Sequence, residues 1–423
     1  MYKFSVKKFS NGLRLLLVPS RESLSFRATV YVRTGANFET KKNNGISHLL
    51  EHMCFKGTTK RPSNLAITQE LDAVGGSYNA FTGREVTGYY TYVARKNAEL
   101  AVDIVSDIFL NSLFPSPALQ KEKRVVREEI HTYKDIPQSY IFELWDKLVY
   151  GDQPSGWPIV GTVSNVLSFS REDLLRYYKR QYRAQSTLVT ISGNFSSASV
   201  ISLIKRYFAN IRKGKASPRK PVKVSQKKPR LLLYSKKTDQ THLLLGVRGI
   251  KYSDKRRYAL DVLEAIFDGG MSGRLFQLIR EKLSAAYWTK SYIDYYPDYG
   301  EWRVYAGVDN CKTEMVISGI LQEWQKFKNY KVSPAELRKA QNYLTGKVAL
   351  SLENVHSVAS KIAAQLLLYN KVEMPKDYLR KIRQVTVRDI QRVAQDLLTP
   401  ERLNLVVISS SGDKRKLRKL LKI

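Results

Sequence analysis

Hydrophobic and polar positions along the chain change period several times, and each change marks an element. Residues 13–19 (Leu-Arg-Leu-Leu-Leu-Val-Pro) and 26–34 (Phe-Arg-Ala-Thr-Val-Tyr-Val-Arg-Thr) are short apolar runs rich in residues that favour strands. A loop from Gly35 to Asn44 leads into Gly45-Ile46-Ser47-His48-Leu49-Leu50-Glu51-His52-Met53-Cys54-Phe55, which has helical period. A turn at 56–62 and a helix near 65–73 follow. Gly75 and Gly76 then break the chain before two strand-like runs, 77–82 and 87–93, close enough to form a hairpin. Helical pattern spans about 96–112 and 117–133, and again from Pro137 to Val149. After a loop from Gly151 to Gly161 come a helix at 171–182, a strand at 187–192 and a helix that ends near Ile211.

Residues 212–229 interrupt this order. The stretch is basic, carries prolines and is poor in apolar residues, so it reads as an exposed linker. Beyond it the pattern restarts. Leu231–Tyr234 and His242–Gly249 resemble the strand pair that ends at Gly35, and Leu403–Ile408 resembles 187–192. The expectation is an α+β protein of two tandem homologous α/β-sandwich halves. These are an N-terminal domain at 1–211, a linker at 212–229 and a C-terminal domain at 230–423.

Composition narrows the class. The chain has 423 residues, 43% of them hydrophobic, enough for sizeable cores. Basic residues outnumber acidic ones 71 to 38, a net charge of +33, but they are spread along the sequence and no nucleic-acid-binding signature accompanies them. Cys54 and Cys311 form no disulfide framework. No cleavable leader pattern opens the chain and no apolar run is long enough to cross a membrane, so the expectation is a cytoplasmic protein without membrane or specific nucleic-acid partners.

The chemistry gathers on the 45–55 helix, which holds two of five histidines. His48 and His52 are four apart and share one helical face, where two imidazoles can take adjacent corners of a metal site. Glu51 lies on the same side, within reach of a metal-bound water. The arrangement H-x-x-E-H is the inverted zincin pattern. On the 117–133 helix, with Glu129 at zero and about 100° per residue, Glu122 falls near +20° within the apolar arc of Leu119, Val125, Val126, Ile130 and Tyr133, while Glu128 points away. Two acids directed into a packed side require partners, either a metal or a nearby Lys or Arg. In the second half no His pair occupies the matching place. Its glycine cluster, Gly269-Gly270-Met271-Ser272-Gly273, lacks the lysine of a nucleotide loop.

Taken together, His48-Leu-Leu-Glu51-His52, Gly75-Gly76-Ser77-Tyr78-Asn79-Ala80, Val126-Arg127-Glu128-Glu129-Ile130 and Gly269-Gly270-Met271-Ser272 with Arg274-Leu275-Phe276 resemble the M16 metallopeptidases, the pitrilysin and insulinase group that includes the mitochondrial processing peptidase. The likeness is to short bacterial members and runs over nearly the whole chain. It implies one Zn²⁺ per chain held by His48, His52 and Glu129, with Glu128 the rival third ligand. Glu51 would be the general base and Glu122 a supporting acid. Arg280 and Tyr287 would bind substrate backbone and steady the tetrahedral intermediate, and Asn79, Ala80 and Phe81 would lie on the strand that pairs with substrate. The resemblance further implies a clam-like chamber between the halves, peptide or unfolded-segment substrates, and a homodimer or a heterodimer with a related subunit. A non-catalytic scaffold or regulatory subunit on a peptidase fold is the alternative.

Overall fold

The structure is a computed structural model that describes residues 3–286 and 288–423. The chain forms two compact units. The first comprises 1–132, 157–220 and 351–372; the second comprises 133–156, 221–350 and 373–423.

In the first unit the strands are β1 (Ser5–Lys8), β2 (Arg14–Pro19), β3 (Ser25–Val32), β4 (Ser77–Thr82), β5 (Thr87–Ala94) and β6 (Thr187–Gly193). They form a six-stranded sheet in the order β1-β2-β6-β3-β5-β4, with β2 and β6 parallel and the other pairs antiparallel. The helices, in chain order, are α1 (Ile46–Met53), α2 (Asn64–Asp72), α3 (Ala98–Leu110), α4 (Ser116–Asp135), α5 (Pro137–Tyr150), α6 (Val163–Ser168), α7 (Arg171–Gln181) and α8 (Ser197–Tyr207). Of these, α5 belongs to the second unit, as does the last turn of α4.

The second unit has β7 (Arg230–Ser235), β8 (Thr241–Arg248), β9 (Trp288–Tyr295), β10 (Gly300–Val308) and β11 (Leu403–Ser409), in the order β7-β11-β8-β10-β9. Only β7 and β11 run parallel. That order and those directions repeat β2-β6-β3-β5-β4 strand for strand, which gives the duplication a topological basis. The remaining helices are α9 (Arg257–Asp268), α10 (Arg274–Phe276) continued by a π-helical turn (Gln277–Lys282), α11 (Thr313–Asn329), α12 (Pro334–Ser351), α13 (Val355–Tyr369), α14 (Pro375–Gln384), α15 (Val387–Leu397) and α16 (Lys414–Leu420). Among the described residues no helix is long and apolar enough to cross a membrane.

Both sheets are buried on two faces, which explains why their strands read as continuous apolar runs. In β2, Leu15 and Leu17 join the main core of the first unit under α3, while Leu16 and Val18 face the other way, toward Val355, Val358, Ile362 and Leu367 of α13. In β11, Leu405 and Val407 join the main core of the second unit, while Val406 and Ile408 pack with Ile141 and Trp145 of α5. So α13 covers the first sheet and α5 the second. The basic stretch at 212–229 predicts a single division of the chain. The chain does pass between units there, after Lys220, but it also crosses near 132, 156, 350 and 372 because these apolar helix faces belong to the sheet of the opposite half. The edge strand β1 and the short helix α6 were not anticipated.

Candidate metal centre

Helix α1 is only eight residues long and is entered through Gly45 in the left-handed region, at φ 96°. A side chain there has no room, because a Cβ on Gly45 would lie 2.7 Å from the Gly161 Cα. The helix is buried over most of its length, and Leu49, Leu50 and Met53 anchor it in the core. This packing directs His48 and His52 to one side, with ring centroids 4.7 Å apart.

Helix α4 brings the acids. Glu129 Oε1 lies 3.6 Å from His48 Nε2, and its Oε2 lies 3.6 Å from His52 Nε2. Donor atoms of His48, His52 and Glu129 all fall within 4.8 Å of one another. Ligands at about 2.0–2.2 Å on a tetrahedral zinc stand roughly 3.4 Å apart, so two imidazole nitrogens and a carboxylate at these separations fit that ion in spacing and in donor type. Glu122 Oε2 lies 3.2 Å from His52 Nδ1, and its Oε1 lies 2.8 Å from Lys56 Nζ. A proton on Nδ1 donated to Glu122 leaves Nε2 of His52 as a lone pair on the Glu129 side, the tautomer a metal requires. His48 Nδ1 is buried without a hydrogen-bond partner.

The electrostatics follow from burial. Burial and the neighbouring His52 push the His48 imidazole down to about 3, so it is neutral and able to ligate. Burial also acts against a charge on His52, but its hydrogen bond to Glu122 and the charges of Glu51 and Glu129 overcome it and raise its pKa. Burial raises Glu129. Glu122 is held below the usual carboxylate range despite burial, by His52 and Lys56. Glu51 is 9% exposed and is raised chiefly by burial. One of its oxygens, Oε2, accepts a 2.5 Å hydrogen bond from Thr82 Oγ1.

Of the residues singled out from sequence, the structure brings His48, Glu51, His52, Glu122 and Glu129 together. Glu128 faces away, paired with Arg127 at 2.8 Å. Val125 and Tyr133, placed in the apolar arc of α4, are 50% and 43% exposed, because the packed stripe narrows to Leu119, Glu122, Lys123, Val126 and Ile130. Asn79, Ala80 and Phe81 lie on β4, the outer strand of the first sheet, beside α1. Arg280 is in the π-helical turn of the second unit, its guanidinium 5.2 Å from the Phe276 ring centroid. Tyr287 lies outside the described residues. Thr82 and Lys56 were not foreseen. Lys56 stands four residues after His52 and so had a helical-spacing signal, whereas Thr82 reaches Glu51 only through the fold.

Residues 17–163 match the family described as insulinase (peptidase family M16), and 168–344 match the peptidase M16 inactive domain. The chain is 33% identical to an uncharacterized zinc protease of Bacillus subtilis over 410 residues, 96% of this chain and 99% of that one. The chain belongs to peptidase family M16. A second M16 relative, an uncharacterized zinc protease of Rickettsia felis, is also 33% identical, over 94% of this chain and 95% of its own. In fold, the M16 chain is similar to a protease from Helicobacter pylori, with a TM-score of 0.88, 20% identity and coverage of 96% and 99%. It is equally similar in kind to a chain of complex III₂ from Candida albicans, with a TM-score of 0.84 and 18% identity over 99% of this chain and all of the other. The inactive-domain match falls where the second half lacks a His pair, and the peptidase match covers α1 and α4.

Proposed function

We propose that this chain is a zinc-dependent endopeptidase that hydrolyses peptides or unfolded protein segments. The observation that carries the reading is the convergence of His48, His52 and Glu129 donor atoms within 4.8 Å, with the Glu51 carboxylate on the same helix. When bound, zinc polarises the scissile carbonyl and makes its water a nucleophile near neutral pH. The protein does the rest. Glu51, held at Oε2 by Thr82, has its second oxygen free to take a proton from water and return it to the leaving amine. Glu122 holds His52 in the required tautomer and orientation.

Substrate is taken as an added strand on β4. An exposed strand edge is a liability that proteins usually blunt with charge, and the opposite edge, β1, does so with Lys7 and Lys8. By contrast β4 (Ser-Tyr-Asn-Ala-Phe-Thr) carries no charge and no proline and leads directly to Thr82 and Glu51. Asn79, Ala80 and Phe81 would then present backbone groups to an extended peptide.

The test compares native protein with Glu51→Gln for zinc content and for cleavage of a quenched peptide library. Native protein is expected to carry one zinc per chain and to cleave. The variant is expected to keep zinc and lose activity by about 10²–10⁴-fold. Zinc without cleavage in the native chain moves the scaffold reading ahead, and absence of zinc overturns the metal centre.

A further inference from the structure

The first turn of α1 has an unusual anchor. Its N-cap position is Gly45, which offers no side chain, so the amides of the first turn have no local acceptor. Two amides at this end nevertheless find an acceptor outside the helix. Glu39, six residues earlier, accepts from Gly45 N at 2.8 Å through Oε2 and from Ser47 N at 2.9 Å through Oε1. It also accepts from Asn44 Nδ2 at 3.0 Å. Glu39 is 4% exposed, and burial pushes its carboxyl up to about 7. No Lys or Arg is paired with it among the described residues. An acid kept in such a place is held by the helix amides and dipole rather than by a counter-ion.

The surroundings extend the anchor on both sides. Asn44 Nδ2 also donates to the Pro158 carbonyl at 2.9 Å. Asn165 Nδ2 donates to the Asn44 carbonyl at 3.2 Å. Ser47 Oγ lies 2.7 Å from the Tyr177 hydroxyl, which lies 2.9 Å from Thr34 Oγ1. The next residue after Ser47 is His48, whose own Nδ1 has no hydrogen-bond partner. Glu122 aims His52 through Nδ1, whereas no described residue hydrogen-bonds Nδ1 of His48. Its placement follows the helix backbone, whose first turn Glu39 holds at the Gly45 and Ser47 amides.

We propose that Glu39 is a positioning residue of the metal centre, a buried carboxylate that caps α1 from outside the helix and thereby sets the placement of His48. It touches neither metal nor substrate and acts through the Gly45 and Ser47 amides. The inference rests on the zinc reading above and adds to it a group outside the ligand set.

The test uses the full chain, stripped by chelator and titrated with Zn²⁺ against a chromophoric competitor, for native protein, Glu39→Gln, Glu39→Ala and a control, Ile204→Val in the core face of α8. Circular dichroism and thermal midpoints are recorded on the same samples. Removing a group that orients a ligand lowers metal affinity by about 10- to 100-fold. The expected ranking is native, then Gln, which keeps one acceptor oxygen, then Ala, with the loss exceeding that of the control at matched thermal midpoint. If both Glu39 variants bind zinc within about twofold of native, or lose no more than the control, the role of Glu39 is overturned while the zinc reading stands. If native protein itself takes up no zinc, the zinc reading fails and this inference fails with it. Should Glu39→Ala not fold, Glu39→Gln decides the matter.

Discussion

At the residue scale, Thr82 sets apart the two oxygens of Glu51. Its hydroxyl occupies Oε2 at 2.5 Å and leaves Oε1 for a water proton. Replacing it with valine keeps the shape and removes the donor. A hydrogen bond to a charged group is worth about 1.5–3 kcal/mol, so Thr82→Val is expected to lower kcat by about tenfold or more with zinc content and KM little changed. An unchanged kcat would show that Thr82 merely fills space. The residues that sequence spacing could expose were those whose geometry is local. His48, Glu51 and His52 share a helix turn, and Glu122 and Glu129 share a helix face. Thr82 and Glu39 act across elements, and no periodicity announces such a contact.

At the element scale, one buried histidine of α13 hydrogen-bonds two strands of the first sheet. His356 lies between Ser192 Oγ, 2.7 Å from Nδ1, and Ser25 Oγ, 2.9 Å from Nε2, with the Tyr92 ring 5.0 Å away. Burial, and then the charge of Arg27, push its pKa down to about 4. Between pH 6.5 and about 4 the unfolded chain therefore binds a proton here that the folded chain does not. The stabilisation is complete above pH 6.5 and is lost as pH falls toward 4. The metal-free protein should lose urea resistance over that window, and His356→Gln, weaker at pH 7, should lose less on going to pH 5. Parallel losses for the two proteins would remove His356 as the source. The helix itself is a simpler matter, since Asn354 caps it by accepting from His356 N and Ser357 N. Which sheet it covers was not legible, because an amphipathic pattern states that a face is buried and not against what.

At the scale of the whole molecule, the two halves of the sequence are not two independent domains. The first sheet is finished by α13, from beyond residue 350, and the second by α5, from before residue 157. Each attachment is specific. Trp145 Nε1 and the Tyr150 hydroxyl of α5 both donate to the buried Glu301 of β10, at 2.8 and 2.6 Å. For α13 the matching contacts are His356 and the Arg14 guanidinium, which donates to the Leu366 carbonyl near the helix C-terminus at 3.1 Å. The repeat was visible as restarting strand patterns, but the exchange was not, since it relates elements some two hundred residues apart. Its consequence can be measured. A fragment of residues 1–220 lacks Val355, Val358, Ile362 and Leu367 and so exposes Leu16, Val18, Tyr31 and Leu188 on β2, β3 and β6. Four large aliphatic side chains at about 1.5–3 kcal/mol each amount to roughly 6–12 kcal/mol, as much as the net stability of many domains. The fragment should therefore bind a hydrophobic dye, lack a cooperative thermal transition and associate. A synthetic peptide of residues 351–372 added in trans should lower dye binding to the level that the uncovered face of α5 retains and restore the transition, whereas the same peptide with Ile362 and Leu367 replaced by aspartate should not. A fragment of 1–220 that unfolds cooperatively without the peptide would show that the first unit is complete without α13.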